Sequence, residues 1–251
     1  MENLTSTSRT PIRVDRELLM SLLGRQLSAQ LKTLCFVGAH RFQEAEILNW
    51  IFPNLKHIYL FEPLPALQEV LLNRARKDPR IKLFPYALAE SDGELEFCVT
   101  SNDGESSSLL PLGRHATLFP DVSVSSTIRV PVRRLDGLIR AGELNKPDLL
   151  ILDVQGAEYS VLSSFPDWLL KSIRLIYTEV STEPVYAGSR SLRDIELMFG
   201  DRFVNIGYAP VVEEVPIHGN AVFVRRMDEE RALGYTVKGH CRRILQTLGR
   251  R

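Results

Sequence analysis

The sequence predicts an α/β fold in which a doubly wound, mostly parallel sheet ends in an antiparallel edge hairpin. Short apolar runs bounded by chain breakers alternate with stretches of helical spacing, an order typical of parallel sheets with helices on both faces. The clearest run is Leu149–Leu152, which follows Pro147 and ends at Asp153. It predicts a strand that is buried on both faces. Two strand-like segments near the end of the pattern predict the hairpin.

The elements before residue 100 follow this alternation. Residues 1–14 are polar and predict a loose arm. Leucines at helical spacing then predict one helix from Arg16 to Leu31, with Asp15 as its cap. The next elements are strands at 34–39, 57–61 and 81–86, helices at 42–52 and 65–76, and an alternating strand through Leu95, Phe97 and Val99.

The segment 101–127 is rich in Ser, Gly, Pro and Asp and has no sustained period. Because long connections in compact domains are usually functional, we expect a lid or a binding loop there. The later elements are strands at 127–133, 149–152 and 173–180, helices at 135–139 and 191–199, and a hairpin of 203–209 with 221–226 whose loop carries His218, Gly219 and Asn220. The predicted organisation is an arm and helix at 1–32, a sheet domain at 33–226 and a basic helical tail at 227–251.

Composition and charge exclude several classes of protein. Lys plus Arg equal Asp plus Glu at 31 each, so no strong field attracts nucleic acid. The N-terminal residues lack the apolar core of a signal peptide, and no segment approaches the length of a transmembrane helix. We expect a cytoplasmic protein whose oligomeric state the sequence leaves open. Cys35, Cys98, Trp50 and Trp168 are expected in the core, and the basic segment 238–251 is expected to be a solvated helix end.

Three residues at predicted strand ends indicate a ligand site, because ligands of open α/β sheets bind at the carboxyl ends of the strands. Gly38 would let a ligand approach the backbone. Glu62 follows Gly38 by 24 residues, close to the spacing of about 20 residues at which nucleotide sites place their ribose-binding acid. Asp153 either contacts a substrate or caps the next helix, and both interpretations stay open. The absence of a GxGxxG pattern argues against an NAD-linked oxidoreductase.

The motif order from about residue 33 to 226 resembles the FkbM family of S-adenosylmethionine-dependent methyltransferases. The most specific blocks are LLILDVQGAEYSVL at 149–162 and IRLIYTEVSTEPVYAG at 173–188. Three shorter segments also match the family pattern: FEP at 61–63, VPVRRLDGLI at 130–139 and GNAVFVRR at 219–226. The resemblance implies a seven-stranded, Rossmann-like sheet of the class I methyltransferase fold.

The resemblance also implies a reaction and a site. The expected activity is O-methylation of a small molecule or carbohydrate, with S-adenosylmethionine as the methyl donor. Asp153 is the first candidate for the base that takes up the hydroxyl proton, and Gln155, Glu158 and Glu179 are expected to assist. Asp153 and Glu179 could instead share a divalent cation. His218 and His240 are interpreted as surface or structural. The expected cofactor-binding residues are Gly38, Ala39, His40, Glu62, Pro63, Tyr86, Ala87 and Asp153.

The first motif departs from the family pattern, which usually reads Asp-Val-Gly-Ala-Asn-x-Gly. This chain has Phe36, His40 and Phe42 where that pattern has Asp, Asn and the second Gly. The departures favour a second hypothesis, a degenerate methyltransferase-fold protein that binds the cofactor weakly and acts as a binding or regulatory partner. If the new side chains narrow the pocket, replacing Phe42 by Gly or His40 by Asn should tighten cofactor binding.

Overall fold

The computed structural model describes residues 16–232 of the 251-residue chain. The strands are β1 Thr33–Val37, β2 His57–Phe61, β3 Ile81–Phe84, β4 Ala87–Leu88, β5 Gly93–Thr100, β6 Val124–Arg133, β7 Leu149–Leu152, β8 Leu175–Ser181, β9 Phe203–Pro210 and β10 His218–Arg225. The helices are α1 Arg16–Leu22, α2 Arg25–Ser28, α3 Ala45–Ile51, α4 Pro65–Lys77, α5 His115–Leu118, α6 Leu135–Arg140, α7 Glu158–Ser163, α8 Asp167–Leu170, α9 Leu192–Phe199 and α10 Glu229–Ala232, with 3₁₀ turns at Gly200–Arg202 and Arg226–Asp228.

Seven strands form the main sheet in the order β3-β2-β1-β7-β8-β10-β9. The first five pair in parallel, while β10 pairs antiparallel with both β8 and β9. The predicted seven-stranded, mostly parallel sheet with an antiparallel edge hairpin is therefore confirmed. The strand order changes direction between β1 and β7, and an open α/β sheet binds its ligands at such a point.

The two faces of the sheet carry two hydrophobic cores. Alternate residues of a strand point to opposite faces, so Leu34 and Phe36 pack on one side while Cys35 and Val37 pack on the other. One core receives side chains of α1, α2, α3 and α4, and the other receives those of α6, α7, α8 and α9. This two-sided burial explains why the parallel strands read as unbroken apolar runs.

A smaller sheet of three strands stands apart from the main one, in the order β4-β6-β5. Its strands β5 and β6 contain the two segments of alternating apolar residues that predict strands after residue 86. The segment 101–127 joins β5 to β6, and it contains the short helix α5 and the first residues of β6. The small sheet buries its own cluster, in which Phe97, Val130 and Val132 pack on Leu64 and Leu67. It is thereby fixed beside the end of β2.

Three expectations about local structure are wrong. The helix predicted over 16–31 is two helices, because the backbone of Gly24 is extended and its N–H donates to the carbonyl of Ala232 at 2.5 Å. Trp50 is 57% exposed rather than part of the core. The segment His218-Gly219-Asn220 lies inside β10 instead of in a loop, because it pairs with β8.

Other expectations concern burial and the terminal residues. Cys35 is fully buried, and Cys98 and Trp168 are partly buried. Helices α1 and α2 bury Leu19 and Leu27 in a core shared with β1. No helix within residues 16–232 has both the length and the apolar character needed to cross a bilayer. His240, Cys241 and the basic segment 238–251 lie outside the described residues.

Candidate active site

A cavity lies at the carboxyl ends of β1, β2 and β7. Apolar side chains form much of its wall, and three carboxylates, those of Glu62, Glu105 and Asp153, reach it. Seven of the eight residues expected to bind a cofactor line it: Gly38, His40, Glu62, Pro63, Tyr86, Ala87 and Asp153. Ala39 is not among the lining residues, because its side chain packs in the core behind β1.

Gly38 allows β1 and β7 to end close together. Its φ is +79°, and a Cβ atom there would lie 1.8 Å from the carbonyl oxygen of Asp153. The N–H of Asp153 donates to the carbonyl of Val37 at 3.0 Å, which continues the strand pairing to the edge of the cavity. A side chain at position 38 would therefore push apart the two strand ends that carry the site.

Glu62 is held by the backbone at the end of β2. One carboxylate oxygen accepts the N–H of His40 at 2.8 Å, and the other accepts that of Leu64 at 2.9 Å. A carboxylate has about four lone-pair positions, so both oxygens can accept further hydrogen bonds from a ligand. The side chain is buried and lines the cavity, which gives a fixed acceptor pair for two hydroxyl groups.

The altered first motif is built into the fold. Phe42 is 1% exposed, and its ring lies 5.9 Å from that of Phe36 in an edge-on contact, within the core rather than against the cavity. The ring of His40 contacts the carbonyl oxygen of Asp103 at 3.0 Å, and Arg41 forms an ion pair with the Asp103 carboxylate at 2.7 Å. His40 and Arg41 thus attach the segment 101–127 to the end of β1.

Gln155 lines the cavity and joins two buried carboxylates, those of Asp153 and Glu179. Its amide nitrogen donates to Asp153 Oδ1 at 2.6 Å and to Glu179 Oε2 at 2.5 Å. Its amide oxygen accepts the hydroxyl of Tyr186 at 2.5 Å. Each amide atom therefore has a partner of the correct kind, which fixes both the position and the orientation of the side chain. Asp153 and Gln155 therefore belong both to this buried cluster and to the cavity lining.

Glu158 supports the turn that presents these groups. Its Oε1 accepts the N–H of Val154 at 3.0 Å and that of Gly156 at 3.2 Å. Burial, together with the charges of Glu179 and Asp153, raises the pKa of Glu158 to about 8. Within the described contacts, Glu158 therefore holds the backbone of residues 154–156, whereas the sequence interpretation made it a direct assistant of Asp153.

His218 lies in the same cluster and is buried, so the surface alternative of its interpretation is wrong. It is 5% exposed, and its Nε2 lies 3.3 Å from Glu179 Oε1. Its Nδ1 lies 3.0 Å from the Ser181 hydroxyl. Burial alone lowers the pKa of His218, but the charge and hydrogen bond of Glu179 outweigh it and raise the pKa to about 9. His218 is therefore an imidazolium at neutral pH.

The segment 101–127 folds over this cluster and supplies residues that sequence reasoning missed. The Ser108 hydroxyl donates to the carbonyl of Gln155 at 2.7 Å. The ring of His115 lies 5.0 Å from that of Tyr186, and burial lowers the pKa of His115 to about 4. The only indication of Ser108 and His115 in the sequence was the expectation that the segment 101–127 takes part in binding. Tyr186 was visible in the family pattern, but its contact with Gln155 was not.

The contacts between Asp153 and Glu179 differ from those expected if the two carboxylates shared a cation. The Gln155 amide nitrogen donates to Asp153 and to Glu179, so a hydrogen-bond donor lies between these two carboxylates. In the part of the chain from 16 to 232, no group of three or more His, Cys, Asp and Glu side chains is placed to hold a metal ion.

Comparison with known proteins identifies a family whose model matches most of the chain. The model described as "Methyltransferase FkbM domain" matches residues 37–208. The 2-O-methyltransferase NoeI of Sinorhizobium fredii is 31% identical over 144 residues, which cover 55% of this chain and 59% of that protein. The hexuronic acid methyltransferase AglP of Haloferax volcanii is 26% identical over 125 residues, which cover 49% of this chain and 47% of that protein. The chain thus spans about half the length of these relatives.

A solved structure of a methyltransferase FkbM from Methylobacillus flagellatus is also similar. Its TM-score is 0.48 at 13% sequence identity, and the match covers 84% of this chain and 50% of that chain.

Proposed function

The chain belongs to the FkbM methyltransferase family, and we propose that it transfers the methyl group of S-adenosylmethionine to a hydroxyl of a sugar or another small molecule. Two relatives support the reaction class, since one is named a 2-O-methyltransferase and the other a hexuronic acid methyltransferase. The observation that carries the proposal is the position of Asp153, which lines the cavity and is also held by Gln155 in the buried cluster.

The cavity lining suits the positive charge of S-adenosylmethionine. It contains carboxylates but no Lys or Arg. A positively charged sulfonium is favoured in such surroundings. Glu62 would hold the ribose hydroxyls, and the glycine turn at Gly38 would let the cofactor lie against the backbone. Tyr86 and Ala87 would line the nucleoside side of the site.

The chemistry requires a base and an oriented acceptor. When bound, S-adenosylmethionine supplies an electrophilic methyl group, whose bond to sulfur breaks as the acceptor oxygen bonds to carbon, leaving the electron pair on sulfur. Asp153 takes up the hydroxyl proton, because its carboxylate lies at the cavity wall. Gln155 keeps that carboxylate in one orientation. Correct alignment of reacting groups can supply several kcal/mol of a rate acceleration.

The degenerate-protein hypothesis is less well supported than the enzyme. It requires that Phe36, His40 and Phe42 damage the cofactor site. The two Phe rings pack together in the core, and the N–H of His40 donates to Glu62. These contacts keep the two Phe rings out of the cavity lining and hold the Glu62 carboxylate in place. They support the proposal of an active methyltransferase over that of a degenerate one.

The test is the substitution Asp153→Asn, which preserves shape and removes the base. We expect normal folding and nearly normal affinity for S-adenosylhomocysteine, with methylation of a hydroxylated acceptor pool slowed by roughly 10²–10⁴-fold. Asp121→Asn is the matched control, because Asp121 is exposed on the segment 101–127. Asp153 does not cap the following helix, as one interpretation of the sequence had it, because the N-cap residue of α7 is Ala157. If Asp153 only accepts the hydrogen bond of the Gln155 amide, the side-chain oxygen of Asn accepts it equally and the rate should not fall. A folded variant with wild-type turnover would therefore refute the proposal.

A further inference from the structure

His218 contacts the acid cluster from the strand that runs antiparallel to the rest. It is the first residue of β10 and pairs in register with Ser181, while Asn220 pairs with Glu179. Both ring nitrogens are engaged, Nε2 with Glu179 at 3.3 Å and Nδ1 with the Ser181 hydroxyl at 3.0 Å. The imidazole is therefore fixed in one orientation beside the carboxylate that shares Gln155 with Asp153.

We infer that His218 is a positioning residue for methyl transfer, whose positive charge keeps the pair of carboxylates bridged by Gln155 ionised so that Asp153 can accept the hydroxyl proton. The inference rests on the proposed function, because it assigns a role toward the same base. His218 acts through Glu179 and Gln155 and makes no described contact with Asp153 itself.

The argument begins with the two hydrogens of the Gln155 amide. One is donated to Asp153 and the other to Glu179, while Tyr186 donates to the amide oxygen. This pattern requires an acceptor oxygen on each carboxylate. Two ionised carboxylates joined by one neutral amide repel each other in a buried site, and one of them binds a proton unless a cation is near. A proton on Asp153 would remove the base.

His218 supplies the compensating charge at hydrogen-bond distance from Glu179. Burial opposes ionisation of the imidazole, but the attraction of Glu179, Glu158 and Asp153 outweighs it, and the pKa of His218 is about 9. The neighbouring His115 differs, because burial and the charge of His218 lower its pKa to about 4. One histidine of the cluster is therefore charged at neutral pH, and the other is neutral.

The titratable groups that interact with His218 or with its partner Glu179 come from several surrounding elements. Glu179 lies on β8, Asp153 follows β7, Glu158 lies on α7, His115 lies on α5, Tyr186 follows β8 and Tyr208 lies on β9. The pKa of each Tyr is raised, first by burial and then by the charge of Glu179, to about 12 for Tyr208. The tyrosines therefore stay neutral in the working range, and the balance of charge depends on the carboxylates and His218.

The first experiment measures kcat against pH for His218→Gln, which keeps a hydrogen-bond donor and removes the charge. We expect the acid-side fall of kcat to move to higher pH, because loss of the positive charge makes protonation of the carboxylate pair easier. Activity should therefore fall most at low pH and recover toward the wild-type level at higher pH. Affinity for S-adenosylhomocysteine should change less than twofold. His57→Gln, at an exposed position on β2, is the control.

The second experiment follows the histidine side chains by NMR and needs no turnover. The His218 resonance should titrate near pH 9 in the wild type and below pH 7 in Glu179→Gln, because loss of the anion removes the main cause of the raised pKa. A His218 that is neutral at pH 7 in the wild type would overturn the inference, as would an equal loss of kcat at every pH in His218→Gln. If the wild type methylates no acceptor, the proposed function fails, and the NMR titration still decides the charge of His218.

Discussion

Replacing Phe42 by Gly tests whether the altered first motif obstructs the cofactor or stabilises the fold. The side chain is 1% exposed, and its ring packs edge-on against Phe36 at 5.9 Å. Removal of a buried Phe side chain costs about 3–5 kcal/mol. The residue has a φ of +50°, and glycine would relieve about 1–2 kcal/mol of strain there. The net loss in the free energy of unfolding is therefore about 1–4 kcal/mol.

The same substitution should leave cofactor affinity unchanged, because the ring does not line the cavity. Urea denaturation measures the stability, and calorimetry with S-adenosylhomocysteine, at a temperature where both proteins are folded, measures the affinity. For a chain of this length the melting temperature should fall by about 2–4 °C for each kcal/mol lost. Phe42→Leu, which keeps most of the apolar volume and the positive φ, should lose less than about 1.5 kcal/mol. Tighter binding in a Phe42→Gly variant of unchanged stability would refute this reasoning and restore the view that the ring narrows the site.

Three further predictions concern other parts of the site. Glu62→Gln should weaken binding of S-adenosylhomocysteine by about 1.5–3 kcal/mol in calorimetry, whereas Glu69→Gln on the exposed face of α4 should not. Gly156→Ala should lower both the melting temperature and the methylation rate, because the new Cβ would lie 2.6 Å from that of Tyr186; Gly188→Ala, at a similar φ with open space around it, measures the strain alone. The free energy of unfolding should fall as the pH rises from 6.5 to 9, since the raised pKa of His218 contributes stability that is complete below pH 6.5 and lost through pH 9. The loss amounts to at most about 3 kcal/mol, and denaturant titrations of the wild type and His218→Gln should differ over this range.

The sequence predicts best those elements whose buried residues form a recognisable pattern within their own segment. β2 begins and ends where the apolar run does, and α9 begins after Ser191, whose side chain caps it in a capping box with Asp194. The two-sided burial of the parallel strands makes such runs distinct. The spacing of the leucines in residues 18–27 predicted a single helix. Spacing alone does not show that the chain bends at Gly24, where the backbone N–H contacts Ala232.

The sequence predicted the candidate site residues that follow the strand ends. It did not predict the residues from distant segments that contact them. Asp153 and Glu62 follow buried strands, so their placement depends on the sheet, which the sequence indicates well. His218 lies in the turn-forming segment His-Gly-Asn, which is typical of a loop, and only its pairing with β8 draws it into the sheet. Contacts such as that of Ser108 with Gln155 join segments 47 residues apart, and no local pattern contains them.

The backbone at the strand ends explains why carboxylates of the site also serve the fold. His40 and Gln155 have φ values of +46° and +56°, which are strained for residues with side chains. Each strained turn is supported by a nearby acid: Glu62 accepts the N–H of His40, and Glu158 accepts those on both sides of Gln155. These turns end β1 and β7 at the edge of the cavity. Substitutions of Glu62 and Glu158 therefore affect stability and ligand binding together, whereas Asp153, whose described side-chain partner is the Gln155 amide, offers the cleaner separation of chemistry from folding.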